Sequence, residues 1–286
     1  MLGSARVPGR LRALVPLSWP SLALVGLVGI PFLLLIRISL APPDPNGLWS
    51  AGTSIAAYSG LMDRPFANAL LYSFGLAILV AAMGVSLGFP LTFFITRMRR
   101  GWQVLWLIFL LATLTLSDVL IAFSWQVMLS KRIGLANLPV KLGLMEQAAS
   151  LTPSFGAVLG NLIYLVLPFT VLTLYPTLSQ LAPELIEAAK TLGASPVVAF
   201  RTVVLPLTKR AAAVSFLISA VLTLGAYVAP LVLGRPRNWT MAVLIGNAAL
   251  AGHNVPRASA MSVCLLIAAL ILTGGTVWIA RGRGRR

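Results

Sequence analysis

The sequence predicts an all-α integral membrane protein with six transmembrane helices, and three observations predict it. Hydrophobic residues make up 58% of the 286 positions and charged ones only 10%, where a soluble domain carries charge on roughly a quarter of its residues. Apolar stretches recur that are long enough to cross a hydrocarbon core about 30 Å thick, which takes on the order of 20 helical residues. The basic residues stand in short clusters beside those stretches, the arrangement that orients helices in a bilayer.

Residues 1–17 read as a cytoplasmic basic tail carrying Arg6, Arg10 and Arg12. A basic start before an apolar run also describes a signal peptide. Here the run from Leu17 to Leu40 exceeds a usual signal core, and its small-residue exit, "SLAPP", puts proline directly after it. A retained first span is therefore expected near 18–40. The second, near 68–96, contains Gly84, Gly88 and Pro90, which predict a tilt or kink. Further spans are expected near 104–129, 155–179, 211–233 and 258–280, with outer loops at 41–66 and 130–153 and a second basic tail at 281–286.

Charge sets the orientation. With the amino terminus inside, the inner side holds 14 of the 22 basic residues and the outer side seven, with Arg37 at the outer end of the first span. Both termini are then cytoplasmic, and so is the segment 183–207. The net charge of +16 does not indicate nucleic acid, because no basic stripe is interleaved with aromatics on a soluble fold. Cys264 and His253 are the chain's single cysteine and single histidine, which excludes an internal disulfide and a His/Cys metal cluster.

The segment from 184 to 207, "ELIEAAKTLGASPVVAFRTVVLPL", interrupts this apolar chain with polar helix signals. Pro183 suits a first helical position, and Glu184 and Glu187 fall where the helix dipole favours negative charge. Leu185, Ala188, Ala189 and Leu192 repeat at helical spacing, giving one apolar face, with Glu184, Glu187, Lys190 and Thr191 on the other. Gly193 stops the helix. Ser195-Pro196 starts another, and Leu205-Pro206 is expected to end it before Lys209 and Arg210 mark the membrane boundary. Taken alone, these residues fit either a hairpin lying in the headgroup layer or a docking surface for a protein outside the membrane.

The spacing Glu187-Ala188-Ala189, Gly193, Val203, Leu205-Pro206 resembles the inner-loop signature of permease subunits of binding-protein-dependent ABC importers. Many members carry a further Pro-Gly after Leu-Pro, where this chain reads "LPLTKRAAA". The resemblance implies a type I ABC importer permease fold over 18–280. It also implies a coupling helix within 183–207 between spans four and five, with Glu184, Glu187, Ala188, Ala189, Gly193, Ala194, Leu205 and Pro206 as the ATPase-coupling residues. The implied partners are a cytoplasmic ABC ATPase dimer, a second permease subunit and a periplasmic or extracellular substrate-binding protein. The implied place is the bacterial inner membrane. ATP and Mg would belong to the ATPase, and no cofactor to this chain. "FANALLYSFGLAILVAAMGVSLGFPLTFFI", "AFSWQVMLSKRIGLANLPVKLGL" and "GAYVAPLVLG" look like stretches of the spermidine/putrescine branch. Permeases for iron(III) or thiamine share the architecture.

Candidate pathway residues are Asp118, Trp125 and Tyr227. An acid at mid-bilayer costs about 2.5–3.5 kcal/mol on insertion scales, so such groups face a bundle interior or a watery cavity. Trp125 follows by two helical turns, and an acid with an aromatic suits an extended ammonium substrate. Tyr227 lies between Gly225 and Pro230, where a helix can loosen. The sequence contains no Gly-x-x-x-x-Gly-Lys-Ser/Thr loop to cradle ATP. A self-sufficient secondary transporter would need more intramembrane ionisable groups, and a membrane hydrolase would need a nucleophile with its base.

Overall fold

Long apolar helices run through several of the chain's prolines and glycines, Pro90, Pro168 and Pro176 among them. The computed structural model describes residues 15–44, 48–59, 61, 63–131 and 150–282, with side chains over the same ranges except 15–21 and 276–282. The helices are α1 (Val15–Ser39), α2 (Ala56–Ser59), α3 (Arg64–Arg97), α4 (Arg100–Leu114), α5 (Asp118–Met128) and α6 (Phe155–Ser179). Then come α7 (Pro183–Thr191), α8 (Pro196–Leu224), α9 (Val228–Leu233), α10 (Met241–Leu250) and α11 (Val255–Gly282). Among the described residues there is no strand. Residues 1–14, Arg132, Gly134, Asn137, Lys141 and 283–286, on which some sequence expectations fall, lie outside the described residues.

Five helices are long and apolar enough to cross a bilayer, and a bent pair, α4 with α5, makes a sixth crossing if counted as one span. The stretch 104–129, expected as a single helix, turns through 95° between Leu114 and Asp118. Polar residues cluster at the bend. Thr113 and Thr115 each donate a hydroxyl hydrogen bond of 2.7 Å to the carbonyls of Leu110 and Ala112, a back-bonding that bends helices. Ser117 takes extended backbone, ψ 134°, as the N-cap of α5.

The span expected at 211–233 also differs. Leu205-Pro206 does not end a helix; α8 runs through it, from Pro196 to Leu224. The helix widens to one π turn over Phe200–Val204, and the Leu205 N–H donates to the Phe200 carbonyl. That wider turn admits a proline ring that would clash in a regular helix interior. The far end of α8 stops at Leu224, where the Ala226 N–H folds back on Thr223 and the Thr240 hydroxyl takes up the Ala226 carbonyl at 3.3 Å.

The chain divides into two compact units, 1–62 with 247–264, and 63–246 with 265–286. In the first, buried Ser39 lies 2.7 Å from the Tyr58 hydroxyl, linking α1 to α2, while Leu24, Leu27 and Leu33 of α1 are exposed. In the second, α3, α6 and α8 form the central packing group. Small residues let α3 and α6 approach: a Cβ on Gly84 would meet Val166 at 2.9 Å, and one on Gly88 would meet Thr170 at 2.5 Å. The Thr170 hydroxyl then lies 3.2 Å from that of Ser219 on α8. Gln103 ties α4 in, donating to the Thr96 and Met98 carbonyls and accepting from Tyr175 on α6 at 2.8 Å.

Candidate functional site

Two places gather the residues singled out from the sequence: an elbow at 183–207 and a cavity beside the two helix breaks. In the elbow, α7 begins with Pro183 at its first position, has Glu184 in its first turn and Lys190 in its last. Its end is a complete Schellman motif. Gly193, at φ 85°, donates its N–H to the Lys190 carbonyl at 2.9 Å, and Ala194 donates to the Ala189 carbonyl at 3.0 Å. Ser195 then caps the next helix, its hydroxyl accepting from the Val198 N–H at 3.3 Å.

The second half of the elbow is anchored by Phe200, whose ring meets those of Phe89 and Phe93 edge-on at centroid distances of 5.3 and 5.8 Å. Sequence reading passed over Phe200; its helical spacing with Val197 and Val204 was the available signal. Val204 is buried, Val203 half-buried, and Leu205 and Pro206 are exposed.

The apolar face of α7 is not uniform. Ile186, which the sequence reading left out, joins Leu181 and Phe200 against the core cluster of Phe89, Leu174, Leu178 and Val204, and Ala189 is half-buried. Leu185, Ala188 and Leu192 are exposed, Leu192 to 89%. Glu184 and Glu187 are exposed too. The helix therefore turns one apolar edge to the bundle and leaves a second one free.

The cavity, about 450 Å³, lies between the α4–α5 bend and the break after α8. Asp118 and Tyr227 both line it, together with Thr113, Tyr164 and Thr223. Asp118 is the only charged residue among the described lining residues. It sits at the first position of α5, where the helix dipole favours a carboxylate. Trp125 does not line the cavity. Two turns along α5, it packs on Gly160, where a Cβ would meet its ring at 2.9 Å, and lies 6.3 Å from the Tyr164 ring. Tyr227 is held from behind by Gly246, where a Cβ would meet its ring at 2.5 Å. Nothing in the sequence around Tyr164, "IYLVLPF", marks it as cavity-lining; its place there depends on the bend opposite. Arg235 donates from Nε to the Pro153 carbonyl at 3.0 Å.

Apolar helices broken around an internal cavity, with a polar elbow between two of them, have the build of a membrane transport subunit. Residues 146–284 match the family described as binding-protein-dependent transport system inner membrane component. The spermidine/putrescine transport system permease protein PotB of Haemophilus influenzae is 24% identical over 255 residues, covering 89% of this chain and 88% of that protein. PotB of Escherichia coli is 26% identical over 224 residues, covering 78% and 80%. A solved bacterial alginate ABC transporter, in complex with alginate pentasaccharide-bound periplasmic protein, shares the fold with a TM-score of 0.75 at 18% identity, over 97% of this chain and 96% of that one. These likenesses support a permease subunit of a binding-protein-dependent ABC importer, a multi-pass inner-membrane protein.

Proposed function

We propose that this chain forms half of the translocation pathway of an ATP-driven importer for polyamines of the spermidine/putrescine class, with 183–207 as its coupling segment. Both termini are cytoplasmic in this reading, the tails 1–17 and 281–286 flanking one permease domain at 18–280. A cytoplasmic ATPase dimer grips the elbow and supplies ATP and Mg. A second permease subunit completes the pathway, and a soluble binding protein delivers cargo at the outer face.

The observation that carries the reading is the free apolar stripe of Leu185, Ala188 and Leu192 on a rigidly capped elbow. Exposed leucines flanked by Glu184 and Glu187 suit a protein groove. After the turn at Gly193, the second half of the elbow is the start of α8, whose 29 residues span about 44 Å at the helical rise. The other end of α8 is the Gly225–Tyr227 break at the cavity wall. Closure of the ATPase pair displaces the elbow, and α8 carries that displacement to the pathway. The polyamine assignment is supported by the near full-length PotB relatives. It is also supported by a cavity whose charge is a lone carboxylate beside two tyrosines, chemistry suited to an ammonium chain.

The test is Leu192→Glu in the assembled transporter. The side chain is exposed, so insertion of the chain is expected to be unchanged, while co-purification of the ATPase and uptake both fall. Wild-type uptake with the ATPase retained would sink the assignment of the elbow.

A further inference from the structure

Beneath the elbow, between α3, α7 and the start of α8, lies a slot of about 350 Å³. Its lining is apolar apart from Lys190, with Pro90, Phe93, Phe94, Phe200 and Val197 among it. Neither the coupling role of the elbow nor the cavity at Asp118 uses this slot. We propose that it binds an anionic phospholipid, its acyl chain in the aromatic slot and its phosphate against Lys190 and Arg97.

Three features point to that ligand. The slot is open on one side through Phe94 and Val197, 64% and 63% exposed, so it communicates with whatever surrounds the helices, which for a membrane protein is acyl chain. Lys190 is the one charged residue among the described lining residues. The Arg97 guanidinium lies over the ring of another lining residue, Phe93, 5.2 Å from its centroid. None of the described lining residues is acidic; Glu187, three positions before Lys190 on α7, is not among them. Finally, Pro90 precedes Arg97 by seven residues of continuous helix, about 10 Å at the helical rise, so the slot extends that far below the cation level. Cations above and an apolar slot below match a phospholipid's order of headgroup and chain.

A lipid held there touches α3, α7 and α8 at once. Its presence sets how the elbow rests on the bundle, so coupling between ATP hydrolysis and transport becomes dependent on anionic lipid. The binding itself needs neither the ATPase nor a particular topology, so the failure of the coupling proposal and the failure of this one are separate results.

Native mass spectrometry of the full-length chain, titrated with phosphatidylglycerol, phosphatidylcholine and inorganic phosphate, tests it. Phosphatidylglycerol is expected to be retained in preference to phosphatidylcholine. Lys190→Gln should lower its occupancy about fivefold, the worth of one lysine at an anionic headgroup, and leave phosphatidylcholine unchanged. Lys190→Arg should keep it. Val197→Trp, which fills the slot from an exposed position, should displace both lipids. Equal retention of the two lipids by the wild type would mark the slot as ordinary annular surface and overturn the proposal. So would full displacement by inorganic phosphate, which would make it a free-anion site. Unchanged phosphatidylglycerol retention in Val197→Trp would overturn it as well, and release of the ATPase by that variant would then identify the slot as a partner's seat.

Discussion

Asp118 shows how one residue can satisfy two demands. As an acid within an apolar run it is expensive unless it finds water or a favourable field. The structure places it at the first position of α5, where the dipole is favourable, and at the wall of the cavity. The helix dipole alone is worth about 0.3–1 kcal/mol, against about 2.5–3.5 kcal/mol for an acid at mid-bilayer, so access to a polar cavity is the larger requirement for a charged Asp118. Asp118→Asn keeps a side chain suited to a helix start and removes only the charge. If the carboxylate meets a cationic cargo, the half-saturation concentration for uptake rises about tenfold or more, the worth of a hydrogen bond to a charged group. Asp118→Glu should recover part of the loss. Uptake by Asp118→Asn at wild-type affinity and rate would remove Asp118 from the pathway. The acid was legible because charge is rare in such runs, and Tyr227 because Gly225 and Pro230 flank it. Trp125 shares the helix with Asp118 yet packs on Gly160, since a seven-residue separation is about 10 Å of rise and carries it beyond the cavity.

At the scale of the element, the elbow explains its own signature. Gly193 takes the positive φ of the Schellman turn, with Lys190, Ala189 and Ala194 supplying its backbone hydrogen bonds, so the glycine of the signature answers to backbone geometry. Leu185, Ala188 and Leu192 remain free for a partner. The two sets separate experimentally. Gly193→Ala forces a Cβ into a left-handed backbone at a cost of roughly 1–2 kcal/mol, which predicts about tenfold faster amide exchange at the end of α7. Leu192→Ala, at a position exposed to 89%, should leave exchange unchanged. Exchange in Gly193→Ala as slow as in the wild type would show that the turn does not depend on that backbone conformation. The glycine stop was readable because only one residue type sits easily at positive φ. The passage of α8 through Pro206 was not, because Leu-Pro reads locally as a helix end, whereas here a π turn over Phe200–Val204 accommodates the proline, with Phe200 packed on Phe89 and Phe93. The bend at 115–117 was hidden for a related reason: hydropathy averages across Thr113, Thr115 and Ser117, while the hydroxyls act one carbonyl at a time.

For the molecule as a whole, the mechanism requires the elbow and the segment after α9 to lie on opposite sides of the membrane. The chain passes from Leu192 to Arg237 through α8, whose length of about 44 Å at the helical rise exceeds the hydrocarbon thickness of about 30 Å. In the proposed orientation, 14 basic residues fall on the elbow's side against seven on the other. A single-cysteine pair reads this directly. In a Cys264→Ser background, Leu192→Cys and Arg237→Cys occupy exposed positions on either side of α8. In intact cells whose outer barrier admits small reagents, a membrane-impermeant maleimide should label Arg237→Cys at once and Leu192→Cys only after the inner membrane is opened. The reverse pattern would put the apolar stripe of α7 in the space where the binding protein works. No cytosolic ATPase could reach it there, and α8 would then connect the cavity to the wrong side for a stroke driven by ATP.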